Sequence, residues 1–183
     1  IDGTSDDSFA VQGDQPASVL DGGGLVQDGL RLYAGSDGST VRGLNLQRFT
    51  QYGLNITSSG NTVAGNWIGV GTDGLTARGD LVGINVSSAS NVIGGASASQ
   101  RNVISGNGDA GIKISTASAT GNVVIGNYIG TDRTGTTDLN GTAHTGGLSG
   151  VVIVGGASGN RIGTNADGSS DTAERNVISG NNW

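Results

Sequence analysis

The sequence contains no cysteine, no methionine and a single proline, and only 4% of its residues are aromatic. The absence of cysteine excludes a disulfide-stabilised scaffold and any cysteine-ligated metal site. Stability must therefore come from hydrogen bonds between strands and from an aliphatic core.

Positive charge is also scarce, because 9 Lys and Arg stand against 15 Asp and Glu, for a net charge of -6. Such a chain is repelled by nucleic acid phosphates and by anionic membranes, and no basic patch is visible that would overcome this repulsion. The longest uninterrupted apolar run has four residues, far fewer than the roughly 20 that a membrane-spanning helix needs. The sequence predicts neither a nucleic-acid partner nor a membrane span.

The first residue is Ile1 rather than Met, and no charged segment followed by an apolar one opens the chain. A start without Met indicates a processed or excised piece of a longer protein. Together with the acidity and the lack of cysteine, it favours an extracellular or cell-surface location.

Glycine is what the sequence has in excess, with 36 of 183 residues. This content approaches that of low-complexity chains, but the apolar residues are mostly Val, Ile and Leu in short alternating runs. The pattern predicts folded β-structure rather than disorder.

A short motif, Gly followed by two apolar residues around a variable one, recurs five times along the chain. The copies are GLRL (29–32), GLNI (53–56), GINV (83–86), GIKI (111–114) and GVVI (150–153). Each copy is followed by a second and then a third apolar element, always in the same order. The starts are separated by 24, 30, 28 and 39 residues, so the minimal unit has about 24 residues and the longer units carry insertions.

Three short strands in a unit of this length predict one coil of a parallel β-helix. Alternate side chains point inward, and each strand pairs with its counterparts in the coils above and below, about 4.8 Å away. An antiparallel sandwich also has short, regularly spaced strands, but it does not need the same strands in the same order five times. We predict an all-β solenoid of about five coils at 29–183, preceded by an N-terminal cap segment at 1–28.

The insertions alternate between two positions, and this explains the string RNVISGN, which occurs at 101–107 and again at 175–181. Coils 2 and 4 insert residues after the third strand, whereas coils 3 and 5 insert residues before it. The larger repeat is therefore a pair of coils. We interpret RNVISGN as scaffold, namely the third strand and exit turn of the second member.

Asparagine recurs at one turn of four successive coils, at Asn61, Asn91, Asn122 and Asn160. Stacked Asn side chains can hydrogen-bond along the solenoid axis and can satisfy backbone groups of the turn. We predict a structural ladder rather than a row of ligand-binding side chains.

The strings GNYIGTD, NxIGG and RNVISGN, with the opening IDGTS, resemble the right-handed parallel β-helix repeats of large secreted or surface-anchored bacterial proteins in the pectin-lyase-like superfamily. The resemblance covers nearly the whole chain and implies a right-handed coil. It implies little about activity, because enzymes, adhesins and passive stalks share that repeat.

Enzymes of that superfamily provide the sharpest catalytic hypothesis. Its galacturonan hydrolases use several Asp carboxylates on neighbouring strands with a His and a basic pair, and this sequence has no NTD, GHG or RIK string. Its lyases need a carboxylate cluster for Ca²⁺ and an Arg or Lys base. Here the repeated strand elements carry no acid, the pair Asp6 and Asp7 precedes the repeats, and the single histidine, His144, lies in a polar loop. No catalytic residue is assigned.

The acidic residues lie mainly in loops, where Asp-Gly pairs favour tight turns. A Ca²⁺ site in one of these loops is the one cofactor hypothesis that remains, although no loop matches an EF-hand or a calcium-binding β-roll. The candidate ligands are Asp132, Asp138, Asp167 and Asp171. An RGD tripeptide at 78–80 has the letters of a cell-attachment motif, and we interpret it as part of a turn.

Two inward stacks of apolar residues are expected from the repeat. They are Val63, Ile93, Val124 and Ile162 in one stack, and Leu54, Ile84, Ile112 and Val151 in the other. We expect adjacent coils to bury both stacks fully.

One outward stripe of apolar residues is also expected, formed by Trp67, Val103, Tyr128 and Val177. Either the long loops after coils 2 and 4 fold back over this stripe, or it is a ligand-binding platform for a sugar chain or partner protein. We favour the covered form.

These observations favour a non-catalytic extracellular stalk or adhesive module, in which further coils of the parent protein or identical chains stack end to end. The string RNVISGNNW stops where a sixth coil would begin, and we expect the open strand edges there to be covered. The alternative is a carbohydrate-active β-helix enzyme or a polysaccharide-binding module. An ice-binding solenoid is a third hypothesis, but it needs a regular Thr row on one face, and here Thr lies mostly in loops.

Overall fold

The computed structural model describes residues 1–4, 15–140 and 149–181. Strands make up 39% of the structure and helices 4%. His144, Asp6 and Asp7 lie outside the described residues.

The strands of the described ranges form three parallel sheets, and each sheet takes one strand from each coil. Sheet 1 holds the five copies of the Gly motif in β2 (Asp28–Leu32), β5 (Tyr52–Ile56), β8 (Val82–Val86), β11 (Ala110–Ser115) and β14 (Ser149–Val154). Sheet 2 consists of β3 (Thr40–Arg42), β6 (Thr62–Ala64), β9 (Val92–Gly94), β12 (Val123–Ile125) and β15 (Arg161–Ile162). Sheet 3 consists of β1 (Ser18–Asp21), β4 (Leu44–Gln47), β7 (Trp67–Ile68), β10 (Val103–Ile104), β13 (Tyr128–Ile129) and β16 (Val177–Ile178).

Each strand pairs in parallel with its counterpart in the next coil, and neighbours in a sheet are therefore three strands apart in sequence. This confirms the predicted all-β solenoid of about five coils, and the arrangement is compatible with the right-handed coil. A 3₁₀ turn (Ala98–Gln100) and the single-turn helix α1 (Asp171–Glu174) lie in the insertions of coils 3 and 5. Among the described residues, no helix has the length and apolar character needed to cross a membrane.

The segment 1–28 contributes directly to the sheets. Strand β1 pairs with β4, with Leu20 opposite Leu46. Asp2 bridges to Arg42, the last residue of β3, and the Gly3 N–H donates to the Arg42 carbonyl over 2.8 Å. Part of this segment therefore continues the solenoid ladder.

The Gly that opens each of the first four copies of the motif is required by the approach of the neighbouring coil. A Cβ on Gly29 would lie 2.6 Å from the Gly53 carbonyl oxygen, and a Cβ on Gly83 would lie 2.7 Å from that of Gly111. These distances are shorter than carbon and oxygen tolerate, so a larger residue would push the coils apart. The recurring glycine is thus a consequence of backbone stacking.

The core is formed by inward side chains that stack in register from coil to coil. Leu54, Ile84 and Ile112 face one another in sheet 1 and are fully buried. Sheet 2 contributes Val63, Ile93 and Val124, and sheet 3 contributes Leu46, Ile68, Ile104 and Ile129.

The ends of the two predicted stacks differ from the expectation of full burial. Val151 and Ile162 occupy the expected register, opposite Ile112 and Val124, but they are only half-buried. They belong to the last described coil, so no further coil of the described chain covers them.

The inward register can be tested by replacing Ile112 and its outward neighbour Lys113 with the same residue. Ile112→Asn places an amide among fully buried aliphatic side chains, and we expect it to lower the free energy of unfolding by at least about 3 kcal/mol. Lys113→Asn should change it by less than about 0.5 kcal/mol, because that side chain points to solvent. Urea denaturation of both variants checks this, and equal effects would contradict the register.

Candidate functional site

The structure places the four residues of the predicted outward stripe in one file across sheet 3. Trp67 and Tyr128 both lie opposite Val103, and Val177 lies opposite Tyr128. The file continues toward the N-terminus through Asn45 and Val19.

Two loops cover the central part of this stripe. The loop after β7 returns as a hairpin in which Val70 bridges to Ala77, and Val70 packs against Trp67 and Val103. Trp67 is 5% exposed and Val103 is 3% exposed. These two side chains are therefore sealed from solvent rather than displayed.

The loop after β13 forms an equivalent hairpin, bridged between Thr131 and Asp138. Its backbone joins the first loop through a hydrogen bond of 3.0 Å from the Arg133 N–H to the Gly74 carbonyl. The guanidinium of Arg101 lies over the half-buried ring of Tyr128, 4.2 Å from the ring centroid. One face of this ring is therefore not open to a stacked sugar ring.

The four asparagines predicted to form a ladder are joined by hydrogen bonds along the solenoid axis. In each rung, both the backbone N–H and the side-chain Nδ2–H donate to Oδ1 of the Asn in the next coil. The bonds from Asn61 to Asn91 measure 2.9 and 2.8 Å, and those from Asn91 to Asn122 measure 2.8 and 3.0 Å. Asn122 makes the same pair of bonds to Asn160, each of 2.9 Å.

A second ladder runs along another corner and consists of Asn66, Asn102, Asn127 and Asn176. Asn66 donates to Oδ1 of Asn102 with the backbone N–H at 2.9 Å and with Nδ2 at 3.1 Å. Sequence reasoning missed this ladder, although the signal was present as an Asn before the apolar pair of the third strand in four coils. It explains the Asn that follows the Arg in both copies of RNVISGN.

The acids proposed as Ca²⁺ ligands are engaged within their own loops. Oδ1 of Asp132 accepts hydrogen bonds from the backbone and hydroxyl of Thr134 and from the backbones of Thr136 and Thr137. Burial alone would raise the pKa of Asp132, but these hydrogen bonds outweigh it and lower the pKa. These four hydrogen bonds all fall on Oδ1, so the loop itself engages this oxygen.

The other proposed ligands have similar local partners. Asp138 accepts from the Asn140 N–H, Asp167 from the Ser169 N–H, and Asp171 from the Thr164 hydroxyl. No group of three or more His, Cys, Asp or Glu side chains in the described ranges could hold a metal ion.

A polar cleft of about 300 Å³ lies where β1, β4 and the loop after β7 meet. Arg48 on one wall binds Asp21 through two hydrogen bonds and thereby lowers the pKa of that carboxyl. On the other wall, a hydrogen bond from the Thr76 hydroxyl lowers the pKa of Asp73. Both acids are therefore ionised at neutral pH, and neither can donate the proton that glycoside hydrolysis needs.

The environment of Asp80 raises the pKa of its carboxyl instead of lowering it. Asp80 is 4% exposed, and burial raises its pKa to about 8. Its Oδ1 accepts a hydrogen bond of 2.8 Å from the Phe49 N–H, whereas its Oδ2 is buried and has no partner. The carboxyl of the RGD tripeptide is thus unavailable to a receptor.

Comparisons of the chain with protein-family models, with curated proteins and with solved structures gave no match.

The contribution of the second ladder can be measured with Asn102→Ala. This change removes the buried side-chain partner of the Asn66 N–H and of the Val63 carbonyl, and one of the acceptors of Asn66 Nδ2. We expect a loss of about 2–4 kcal/mol in the free energy of unfolding. Asn165→Ala, in an exposed loop, should cost less than about 0.5 kcal/mol. A loss for Asn102→Ala no larger than that of the control would contradict the ladder's role.

Coverage of the stripe can be measured by fluorescence in a Trp183→Phe background, because Trp67 is then the only Trp. We expect blue-shifted emission and weak acrylamide quenching, unaffected by added polysaccharides, since the two hairpins exclude solvent. Quenching as strong as in the urea-unfolded chain would show that the stripe is open.

Proposed function

We propose that this chain is a rigid, non-catalytic β-helical module of a secreted or surface-anchored protein of bacterial type, serving as a stalk or adhesive segment. The proposal rests on one observation: the repeated polar side chains form hydrogen bonds within the scaffold itself. The Asn side chains of the two ladders bind the next coil, and the loop acids close their own turns. The repeat thereby uses its polar groups to hold coils together rather than to form a reactive centre.

The closed outer surface supports the same function. The loops after β7 and β13 seal Trp67 and Val103, and they are joined to each other through Arg133 and Gly74. A module braced in this way transmits force along its axis, because bending it would break ladder bonds and separate packed loops.

The last described coil supports end-to-end stacking as the means by which such a module extends. Strands β14, β15 and β16 are the final strands of their sheets in the described chain. Ile178 is 45% exposed there, whereas its counterparts Ile104 and Ile129 are fully buried. We propose that this end face receives a further coil, from the parent protein or from an identical chain, since open strand edges and an uncovered core layer favour pairing.

A carbohydrate-related function is the second candidate, and the polar cleft beside Asp21 favours it. The guanidinium of Arg78 lines this cleft and has no hydrogen-bonded or ionic partner within the described residues. It could contact a carboxylated sugar. The lowered pKa values of Asp21 and Asp73 disfavour hydrolysis, because an ionised carboxylate cannot donate a proton to the leaving oxygen.

Direct assays on polygalacturonate, alginate and host glycans, with and without Ca²⁺, distinguish the two proposed functions. A non-catalytic module gives no reducing ends and no unsaturated products with any of these polymers. Turnover that is lost in Arg78→Ala would overturn the structural proposal in favour of an enzyme.

End-face stacking is tested by analytical ultracentrifugation of Ile178→Lys and Leu75→Lys. Both positions are exposed and apolar, at 45% and 51%, but only Ile178 lies on the end face. We expect the unmodified chain to associate increasingly with concentration, Ile178→Lys to remain monomeric because a charge blocks the core layer, and Leu75→Lys to behave like the unmodified chain. A tight monomer at every concentration in the unmodified chain would contradict stacking between identical chains.

A further inference from the structure

A third corner of the solenoid brings together Phe49, Asp80 and Asn107 from successive coils. The Phe49 N–H donates to Oδ1 of Asp80 at 2.8 Å, and the Asp80 N–H donates to Oδ1 of Asn107 at 3.0 Å. These are the same backbone contacts that define the two Asn ladders. Asp80 therefore stands at the position of a ladder asparagine.

Asp80 differs from a ladder asparagine in the second terminal atom of its side chain, which is Oδ2 instead of Nδ2. A ladder Asn donates twice to the next coil, as Asn61 does to Oδ1 of Asn91 through its N–H and its Nδ2–H. Asp80 has Oδ2 where such an Asn has Nδ2, and this oxygen is buried without a partner.

The placement of Oδ2 follows from the glycines beneath it. A Cβ on Gly53 would lie 2.5 Å from Oδ2 of Asp80, and one coil further a Cβ on Gly83 would lie 2.8 Å from Nδ2 of Asn107. The two atoms thus occupy equivalent positions in neighbouring coils. An ionised Asp80 would present a bare acceptor toward Oδ1 of Asn107, where the ladders have an N–H donor.

We propose that Asp80 is held as the neutral acid and that its Oδ2–H donates to Oδ1 of Asn107, replacing the amide donor of the Asn ladders. The solenoid thereby contains a proton-dependent lock, closed when this carboxyl carries its proton and opened when the proton is lost. The lock lies directly after the hairpin that covers Trp67.

The charged groups around this corner do not supply a counter-ion to Oδ2. Asp21 faces Asp80 from the β1 side and is held by Arg48, and its negative charge favours the protonated form of Asp80. Arg78 precedes Asp80 on the same segment and lines the polar cleft. Asp109, beyond Asn107, lies 4.0 Å from Lys113. Burial is the main cause that raises the pKa of Asp80 to about 8, and only the Phe49 N–H opposes it.

The direction of the pH effect follows from proton linkage. The ordinary pKa of an Asp is 3.8, so between about pH 4 and pH 8 the folded chain holds a proton on Asp80 that the unfolded chain has released. Unfolding then releases one proton, and its equilibrium constant rises tenfold for each pH unit across this window. Above the folded pKa both states are ionised and this contribution levels off.

The test compares urea unfolding of the intact chain, Asp80→Asn and Asp109→Asn between pH 4 and pH 10. Asp80→Asn supplies a permanent amide donor, so we expect it to remove the tenfold-per-unit component, and its advantage over the unmodified chain should grow with pH up to about 8. Asp109→Asn replaces an exposed acid two residues after Asn107 and should retain that component. A profile for Asp80→Asn that is parallel to that of the unmodified chain would overturn the proposal.

A second measurement uses only the intact chain, so it does not depend on whether a variant at position 80 folds. Carbon-13 NMR of the carboxyl groups in the intact chain should show one Asp resonance that titrates near pH 8, well separated from the exposed acids. If every Asp carboxyl of the folded chain titrates below about pH 5, Asp80 is ionised at neutral pH and no such lock exists.

Discussion

Buried backbone N–H groups at the corners of the coils are the constraint on which the rest of this structure depends. Strands satisfy their own amides through the parallel ladders, but the chain must turn between sheets, and there the backbone leaves the ladder. An amide buried without an acceptor costs about 1–3 kcal/mol. The corner asparagines remove that cost, because each Oδ1 accepts from the backbone and the side chain of the preceding coil.

This constraint explains why the repeat is so uneven in length yet so regular at a few positions. Insertions enter after β7 and β13 or before β10 and β16, and they leave the corner residues in register. The glycine that opens each of the first four motifs is equally fixed, because the carbonyl of the adjacent coil occupies the space of a side chain. The length of the loops can therefore vary, whereas the residue types at the corners and at the opening glycines cannot.

The sequence was sufficient to predict those features of the fold that follow from the spacing of the repeats. The recurring Gly motif and the Asn61 series determined the solenoid, its three sheets, the inward stacks and one outward file. The second ladder was missed because its asparagines follow Gly in two coils and Arg in the other two, so that string matching separated them. The half-burial of Val151 and Ile162 could not be read from spacing, since it depends on what packs against these residues. Closure of the loops over Trp67 was the favoured of two alternatives, because the long insertions directly follow the stripe residues of coils 2 and 4. The unusual state of Asp80 depends on its burial, and within an Arg-Gly-Asp string the residue looks like an exposed turn acid.

The central claim is that the corner side chains bind each coil to the next along the described solenoid. Hydrogen exchange of the folded chain, read residue by residue by NMR, tests this most directly. The account predicts that the corner amides of Asn61, Asn66, Asn91 and Asn102 are protected as strongly as the amides of the buried strands, because all of them open only when coils separate. Corner amides that exchange as fast as the exposed loop amide of Leu75 would contradict it.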